Sequence, residues 1–435
     1  MRGIRSCYLI IASLLLTLSQ PATYGETQTD GYVSRKEYDE LKQQMLALKK
    51  EVETLKKEKG QSTSPPAVAS TAPAADFDKQ PAAPIEEQKS SGLGTTKFLI
   101  TGDGETTFEA QNHNTSTFTA AFNPVFLWEI NPRLLFEAEV SFELSRDGTD
   151  VGLEYAQLSY LLNDYITLGA GEFLTPSNVW MERFHPSWIN KLPDHPLAVH
   201  DGILPEKSVG AQIRGAFPIG PTKLNLALYV SNGPKLITDD PGAAGMLRFE
   251  NSVDNNDNKA VGGRIGFMPF SEFEVGYGFE VAKPGDQGTP FANVHSVLQS
   301  VDVNFTHDSD LLRGVIDLHA QYAWTRVGHA VYDPDGSLGF GPLSFSNKRD
   351  GGYAQIAYRP TKVDFELARK FEFVFRWDHL NQAPQAPGAL DEERWTVGVD
   401  YWLGPSTALK AAYEWDQPHG QPNTNALLLQ AVTGF

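Results

Sequence analysis

The sequence predicts an all-β fold: a transmembrane antiparallel β-barrel of about sixteen strands, preceded by a short N-terminal coiled coil. Three observations carry this prediction. From Lys97 to Phe435, short segments alternate apolar with polar side chains, and no helical periodicity runs beyond a turn or two. The connections between these segments alternate between short and long. Within a segment, charged residues fall on one face and large apolar residues on the other.

Taken in order, residues 1–25 read as a secretory signal peptide. Arg2 and Arg5 give the positive start, Cys7 to Ser19 the apolar run, and Ala22, Thr23 and Gly25 the small residues before cleavage. The run is too short to cross a bilayer as a helix. Cys7 is the only cysteine and leaves with the signal, which excludes disulfides and thiol chemistry from the mature chain.

Residues 26–59 are expected to hold a periplasmic coiled-coil helix. Ser34 and Glu37 form a capping box, with Val33 and Tyr38 as its staple. Tyr38, Leu41, Met45, Leu48, Val52 and Leu55 follow alternating spacings of three and four, which are coiled-coil a and d positions. Glu51 and Lys56, at g and the following e, favour parallel chains. Three heptads are marginal alone, so the coil should reinforce an oligomer that is set elsewhere. Residues 60–96 carry Pro65, Pro66, Pro73, Pro81 and Pro84 among Ala, Ser, Thr and Gln, the composition of an extended linker. At ~3 Å per residue it spans on the order of 100 Å, which allows a tether to the cell wall.

Residues 97–435 form the barrel domain. The strand segments are 97–110, 117–129, 133–145, 151–162, 165–173, 207–217, 222–231, 258–268, 271–282, 295–306, 311–325, 351–359, 369–378, 393–402, 406–416 and 425–435. Asn131-Pro132, Asn163-Asp164, Pro218–Pro221, Pro269-Phe270, His307–Asp310 and Gly404-Pro405 mark tight turns. Between them come the longer connections 111–116, 146–150, 174–206, 232–257, 283–294, 326–350, 379–392 and 417–424, the exceptions to the alternation being the fairly short 146–150 and the longish turn 360–368. Bacterial barrels show this asymmetry, with an even strand count, tight periplasmic turns and longer outer loops.

The alternation also fixes which side faces what. Phe136, Ala138, Val140, Phe142 and Leu144 oppose Glu137, Glu139, Ser141 and Glu143, while Phe371, Phe373, Phe375 and Trp377 oppose Lys370, Glu372, Arg376 and Asp378. A Lys or Arg facing lipid at mid-bilayer costs ~2–4 kcal/mol, so the charges must point inward. A lumen with this many ionised groups holds water, and small hydrophilic solutes and ions would diffuse through it. Its surroundings are then outer-membrane lipid and lipopolysaccharide. Trp128, Tyr160, Phe217, Phe267, Trp324, Tyr358, Trp377, Trp395, Tyr401 and Trp415 lie near strand ends, as an interfacial aromatic girdle.

Loop 174–206, with about 33 residues, is too long to be a bare connection and is expected to fold inward as the constriction. Its candidate pore residues are Trp180, Glu182, Arg183, Phe184, Lys191 and Asp194. Trp180 and Phe184, at i and i+4, could stack on sugars or pin the loop to the wall. The pore wall is expected to carry Glu137, Glu139, Arg214, Arg264, Glu274, Arg313 and Arg376. Inward acids outnumber inward bases, which leans toward cations. No cofactor is expected, and neither is a metal: Pro186 and Pro196 break the spacing of His185, His195 and His200. Asp254 to Asn258 resembles the start of a calcium loop but lacks the Gly and Glu that would complete one. The net charge of −18 speaks against a nucleic-acid partner.

The heptad helix after the signal, the Pro/Ala linker, the run Gly171-Glu172-Phe173-Leu174-Thr175-Pro176 and the terminal Phe435 together resemble the phosphate-selective porin family (O and P type), within the trimeric porin superfamily. The resemblance implies a homotrimer of sixteen-stranded barrels with the third loop inside each pore. Phosphate selectivity there rests on a ladder of inward Arg and Lys at the constriction. Here that loop holds Arg183 and Lys191 beside Glu182 and Asp194, so phosphate is not carried over. The last segment, with Leu427, Leu429, Ala431, Thr433 and Phe435 on one face, resembles the signal read by the barrel-assembly machinery. A ligand-selective channel for phosphate, another anion or sugar, and a structural tether are the competing readings. An enzyme is not expected, because the inward His319 has no serine placed beside it.

Overall fold

The computed structural model describes residues 97–112, 114–145, 148–200, 203–339 and 341–435. The signal, the coiled-coil positions Tyr38, Leu41, Met45, Leu48, Val52 and Leu55, and the linker all lie outside these described residues.

Eighteen strands follow in order: β1 (Lys97–Gln111), β2 (Thr117–Asn131), β3 (Leu134–Ser145), β4 (Gly148–Leu161), β5 (Ile166–Leu174), β6 (Lys207–Ile219), β7 (Thr222–Ser231), β8 (Lys235–Leu236), β9 (Leu247–Arg248), β10 (Ala260–Phe270), β11 (Phe273–Ala282), β12 (Ser296–Ser309), β13 (Gly314–Val327), β14 (Lys348–Arg359), β15 (Phe371–Asn381), β16 (Asp391–Trp402), β17 (Thr407–Pro418) and β18 (Thr424–Gly434). Each pairs antiparallel with its sequence neighbour, and β1 pairs with β18, so the sheet closes. Two-residue β8 and β9 stand apart as a small hairpin inside the connection 232–259, which leaves sixteen strands in the barrel.

All sixteen coincide with the segments read from the alternation, within three residues at either end. Both exceptions to the alternation of short and long connections are present. Ser145 pairs directly with Gly148, so β4 takes up 148–150 of the connection on the otherwise long-loop end. The longish turn between β14 and β15 is held by Lys362, which lies 2.9 Å from Asp308 at the end of β12 and 2.5 Å from Asp310 in the neighbouring turn.

The outer face is apolar and uncovered: Phe118, Trp128, Phe373, Trp395, Val397, Trp415 and Leu427 are all exposed. The inner face is the reverse, with Asp302, Glu372, Arg376, Asp378, Asp400 and Lys410 buried. The seam closes on the last residue. The Phe435 amide donates to the Gly102 carbonyl (3.0 Å), Gly102 donates back (3.2 Å), and the Phe435 ring stacks on Phe122 at 5.6 Å.

At the long-loop end, connections 232–259, 283–295, 328–347 and 382–390 pack into one cap. Leu236, Leu247, Val294, Tyr332, Phe345 and Ala383 belong to its shared apolar core. Tyr332 stacks between Phe291 (5.8 Å) and Phe345 (5.2 Å). Polar ties cross the connections: Asn347 Nδ2 donates to the Gly245 carbonyl (2.7 Å), and Asn256 Nδ2 to that of Gly285 (2.8 Å). Loops this long usually stay polar and solvated, so a common apolar core makes these four a folded unit.

Candidate functional site

The connection between β5 and β6 lies inside the barrel, and its shape follows from local chemistry. Thr175 N donates to the Glu206 carbonyl (2.9 Å) and closes its neck. Asn178 then caps a single turn, α1 (Val179–Arg183), by accepting from Met181 N at 3.2 Å. That turn is two-faced. Val179, Trp180 and Met181 are buried, whereas Glu182 and Arg183 reach for charges on the wall.

The descending arm is fastened to β12 and β13. The Ser177 carbonyl accepts from Gln321 Nε2 (2.6 Å) and Ser300 Oγ (3.0 Å), and Val179 N donates to Gln321 Oε1 (3.2 Å). The loop then crosses to β1, where Ser187 donates through its amide (3.0 Å) and hydroxyl (2.5 Å) to Asp103. Lys410 of β17 donates to the Ser187 carbonyl (2.5 Å) and also to that of Asn190. On the way back Lys191 bonds Glu372 (2.7 Å), and Asp194 meets Arg376 (2.7 Å) and Arg394 (2.6 Å). A last turn, α2 (Leu197–His200), sits where Leu197 N donates to Asp378 (3.3 Å). Anchors on β1, β12, β13, β15, β16 and β17 leave the loop little freedom.

The charges on the loop are shaped by this setting. Burial acts to raise the Asp194 carboxyl, but Arg376 and Arg394 outweigh it and bring it down to about 2. For His185 burial works to lower the value, and a hydrogen bond to Glu139 more than offsets it, so the imidazole titrates above its ordinary range. Lys191 behaves alike: burial lowers it, Glu372 and Asp317 outweigh the burial, and it stays charged.

The residues expected at the constriction fall into two groups. Glu182 pairs with Arg214, and Arg183 with Glu274 at 2.6 Å, beside the fork that Arg264 makes to Asp302 (2.6 Å) and Glu274 (2.9 Å). Gly276 is needed for that fork, because a Cβ there would lie 2.3 Å from the Arg264 guanidinium. Arg183, Arg214, Arg264, Glu182, Glu274 and Asn225 line a cavity of about 480 Å³ that also touches Asp164 and Tyr165 at the short-turn end. Trp180, by contrast, is only 2% exposed, packed with Met181, Val199 and Tyr353. It pins the loop to the wall, because the apolar face of α1 turns to the barrel. Phe184 meets the His319 ring in a tilted contact at 4.1 Å on that same side.

One expected wall residue is misplaced. β13 begins only at Gly314, so Arg313 belongs to the preceding turn, at φ 53°, and pairs with Asp364 (2.9 Å) outside the lumen. The residues of the bonded network that the alternation could not single out are Asp103, Gln321, Asp378 and Lys410. Each stood at an inward position, but nothing in the sequence said that the loop would reach it.

The loop divides the lumen electrostatically. On its β10–β17 side, Arg264, Arg376, Arg394 and Lys191 all sit in ion pairs with carboxylates. On the β1–β4 side, Glu137 bonds the Gln157 amide (2.8 Å), and none of Glu105, Glu109, Glu137 and Glu143 is in an ion pair among the described residues.

No protein-family model matches the chain, and no curated protein matches it in sequence. Solved structures do match in shape. An anion-selective porin from Comamonas acidovorans shares 10% identity at a TM-score of 0.50, over 78% of this chain and 100% of that one. Salmonella typhi OmpF in complex with daunomycin shares 12% at 0.50, over 78% and 98%. Pseudomonas putida OprB at high pH shares 11% at 0.50, over 78% and 94%. At these identities the likeness shows the fold, which is that of a porin barrel.

Proposed function

We propose that the protein is an outer-membrane porin of a diderm bacterium, through which small hydrophilic solutes and ions diffuse passively. The observation that carries this reading is the loop 175–206 fastened across a lumen lined by ionised groups, since a charged interior holds water. The neighbouring folds support it as porin barrels. Glu182, Arg183 and Arg214 border the open cavity at the waist, while Lys191 and Asp194 serve as anchors.

The channel prefers cations. The bases around the loop are matched by carboxylates, whereas Glu105, Glu109, Glu137 and Glu143 leave the opposite wall acidic. For the same reason the reading keeps the architecture of the phosphate-selective family and leaves out its substrate. The protein assembles as a homotrimer, reinforced by the coil at residues 34–59, with the linker 60–96 giving the periplasmic segment its reach. By strand register Glu172 falls on the outer face with Leu168 and Ala170, and a carboxylate there favours cover by another protomer over lipid.

Purified full-length protein in planar bilayers tests the proposal. Discrete ohmic steps are expected in KCl, with a reversal potential of cation sign in a salt gradient. Absence of any conductance would overturn the porin reading; strong anion preference would overturn its selectivity alone.

A further inference from the structure

Between the loop and the wall of β12–β14 lies a second cavity, of about 200 Å³. Drug-sized ligands take roughly 300–1,000 Å³, so this one suits a single ring. Trp180 and Phe184 of the loop and Tyr353 of β14 border it. Trp180 and Tyr353 are buried in one cluster against which Phe184 packs, so this aromatic side is fixed in place.

Gln355 completes the lining from β14. It is 7% exposed, and its side-chain oxygen has no hydrogen-bond partner among the described residues. A buried acceptor left without a donor costs ~1–3 kcal/mol, so the site gains from a guest that donates. The charged groups around it are already engaged. His319 bonds Asn304 (3.0 Å) and Asp317 (3.0 Å). Asp317 also accepts from Thr306 (2.6 Å), and Lys191 spans Glu372 (2.7 Å) and Asp317 (3.4 Å). One lysine between two carboxylates offers no surplus positive charge to an anion. The engaged carboxylates offer little to a cation. Aromatic faces and one acceptor in need of a hydroxyl remain.

We propose that this cavity is a subsite for a neutral single-ring polyhydroxy solute, a sugar of hexose size. Its C–H face stacks on the aromatic side, and a hydroxyl donates to Gln355 Oε1. The proposal rests on the porin reading and adds a retained solute to it. It makes the passage of such a sugar saturable where a plain pore would give simple proportionality.

The test is bilayer current through the full-length protein titrated with D-glucose, with glycerol at matched viscosity as the control. The current is expected to fall along a saturating curve with glucose only. Gln355→Leu and Phe184→Ala should each raise the half-blocking concentration at least fivefold. A glucose curve that is linear and equal to that of glycerol overturns the subsite and leaves the porin reading standing. Should the protein carry no current, the porin reading fails by itself, and tryptophan fluorescence titrated with glucose decides the subsite. A saturating change displaced in Gln355→Leu supports it, and no saturating change overturns it.

Discussion

The carboxylate of Asp194 holds two guanidinium groups at once: its oxygens lie 2.7 and 2.8 Å from Nη2 of Arg376 and 2.6 Å from Nη1 of Arg394. Arg376 is 0% exposed and keeps a second partner, Asp378, at 2.7 Å. Breaking a buried pair costs about 3–5 kcal/mol, and the retained Asp378 places Asp194→Ala at about 3 kcal/mol. The loss is local to the loop. Hydrogen exchange of the amides over 186–197 is expected to accelerate, and single-channel current to become noisier, while the barrel melts at an unchanged temperature. Unchanged exchange would show that the other anchors suffice.

The same carboxylate sets the acid limit of the loop. Its value of about 2 lies below the ordinary one, so its contribution is complete above ~4 and is lost only as pH falls through about 2. His185 works in the opposite sense. Burial lowers its value, the Glu139 bond outweighs this, and the folded value is raised. Its contribution is complete below ~6.5 and declines as pH rises through the folded value. The protection of the loop amides, taken relative to the intrinsic exchange rate at each pH, is therefore expected to stay constant from pH 4 to 6.5 and to fall on the alkaline side. His185→Gln should flatten the alkaline part; an acid-side change near pH 5 would contradict both assignments.

Selectivity should reside on the β1–β4 wall. Glu137→Gln with Glu143→Gln removes two acids that sit in no ion pair among the described residues, and moves the reversal potential toward zero. Glu274→Gln should do little for selectivity and more for stability, because that carboxylate holds Arg183 and Arg264. The two variants measured side by side in one KCl gradient separate wall from anchor.

At the seam, deleting Phe435 removes two backbone hydrogen bonds to Gly102 and the stack on Phe122, together about 2–3 kcal/mol. Phe435→Ala keeps the backbone bonds and loses about 1 kcal/mol. The heat-modifiable folded fraction recovered from outer membranes should fall in that order, deletion below substitution below the native chain.

The barrel was legible because lipid penalises error at every second position. Phe373, Phe375 and Trp377 could not exchange faces with Glu372, Arg376 and Asp378, and the structure follows that register throughout β15. Arg313 escaped the rule because it sits in a turn, where the penalty on facing does not apply. Within the loop, Glu182 and Arg183 were readable as charges and Trp180 as a residue of two uses. Their partners were not readable, since Asp194 meets Arg376 across 182 residues of chain. The cap left a faint signal that alternation does not measure: Leu236, Tyr332 and Phe345 are large apolar side chains in connections otherwise polar.

That cap has a bearing on anything that approaches from the long-loop end. Tyr332, Phe345, Leu236 and Ala383 come from three separate stretches of chain and hold one another in place. The relief they support is conformational: no single stretch carries it alone. An antibody raised against any one loop as a peptide should bind the denatured chain and miss the native molecule, whereas one raised against the folded barrel should lose its target on Tyr332→Ala.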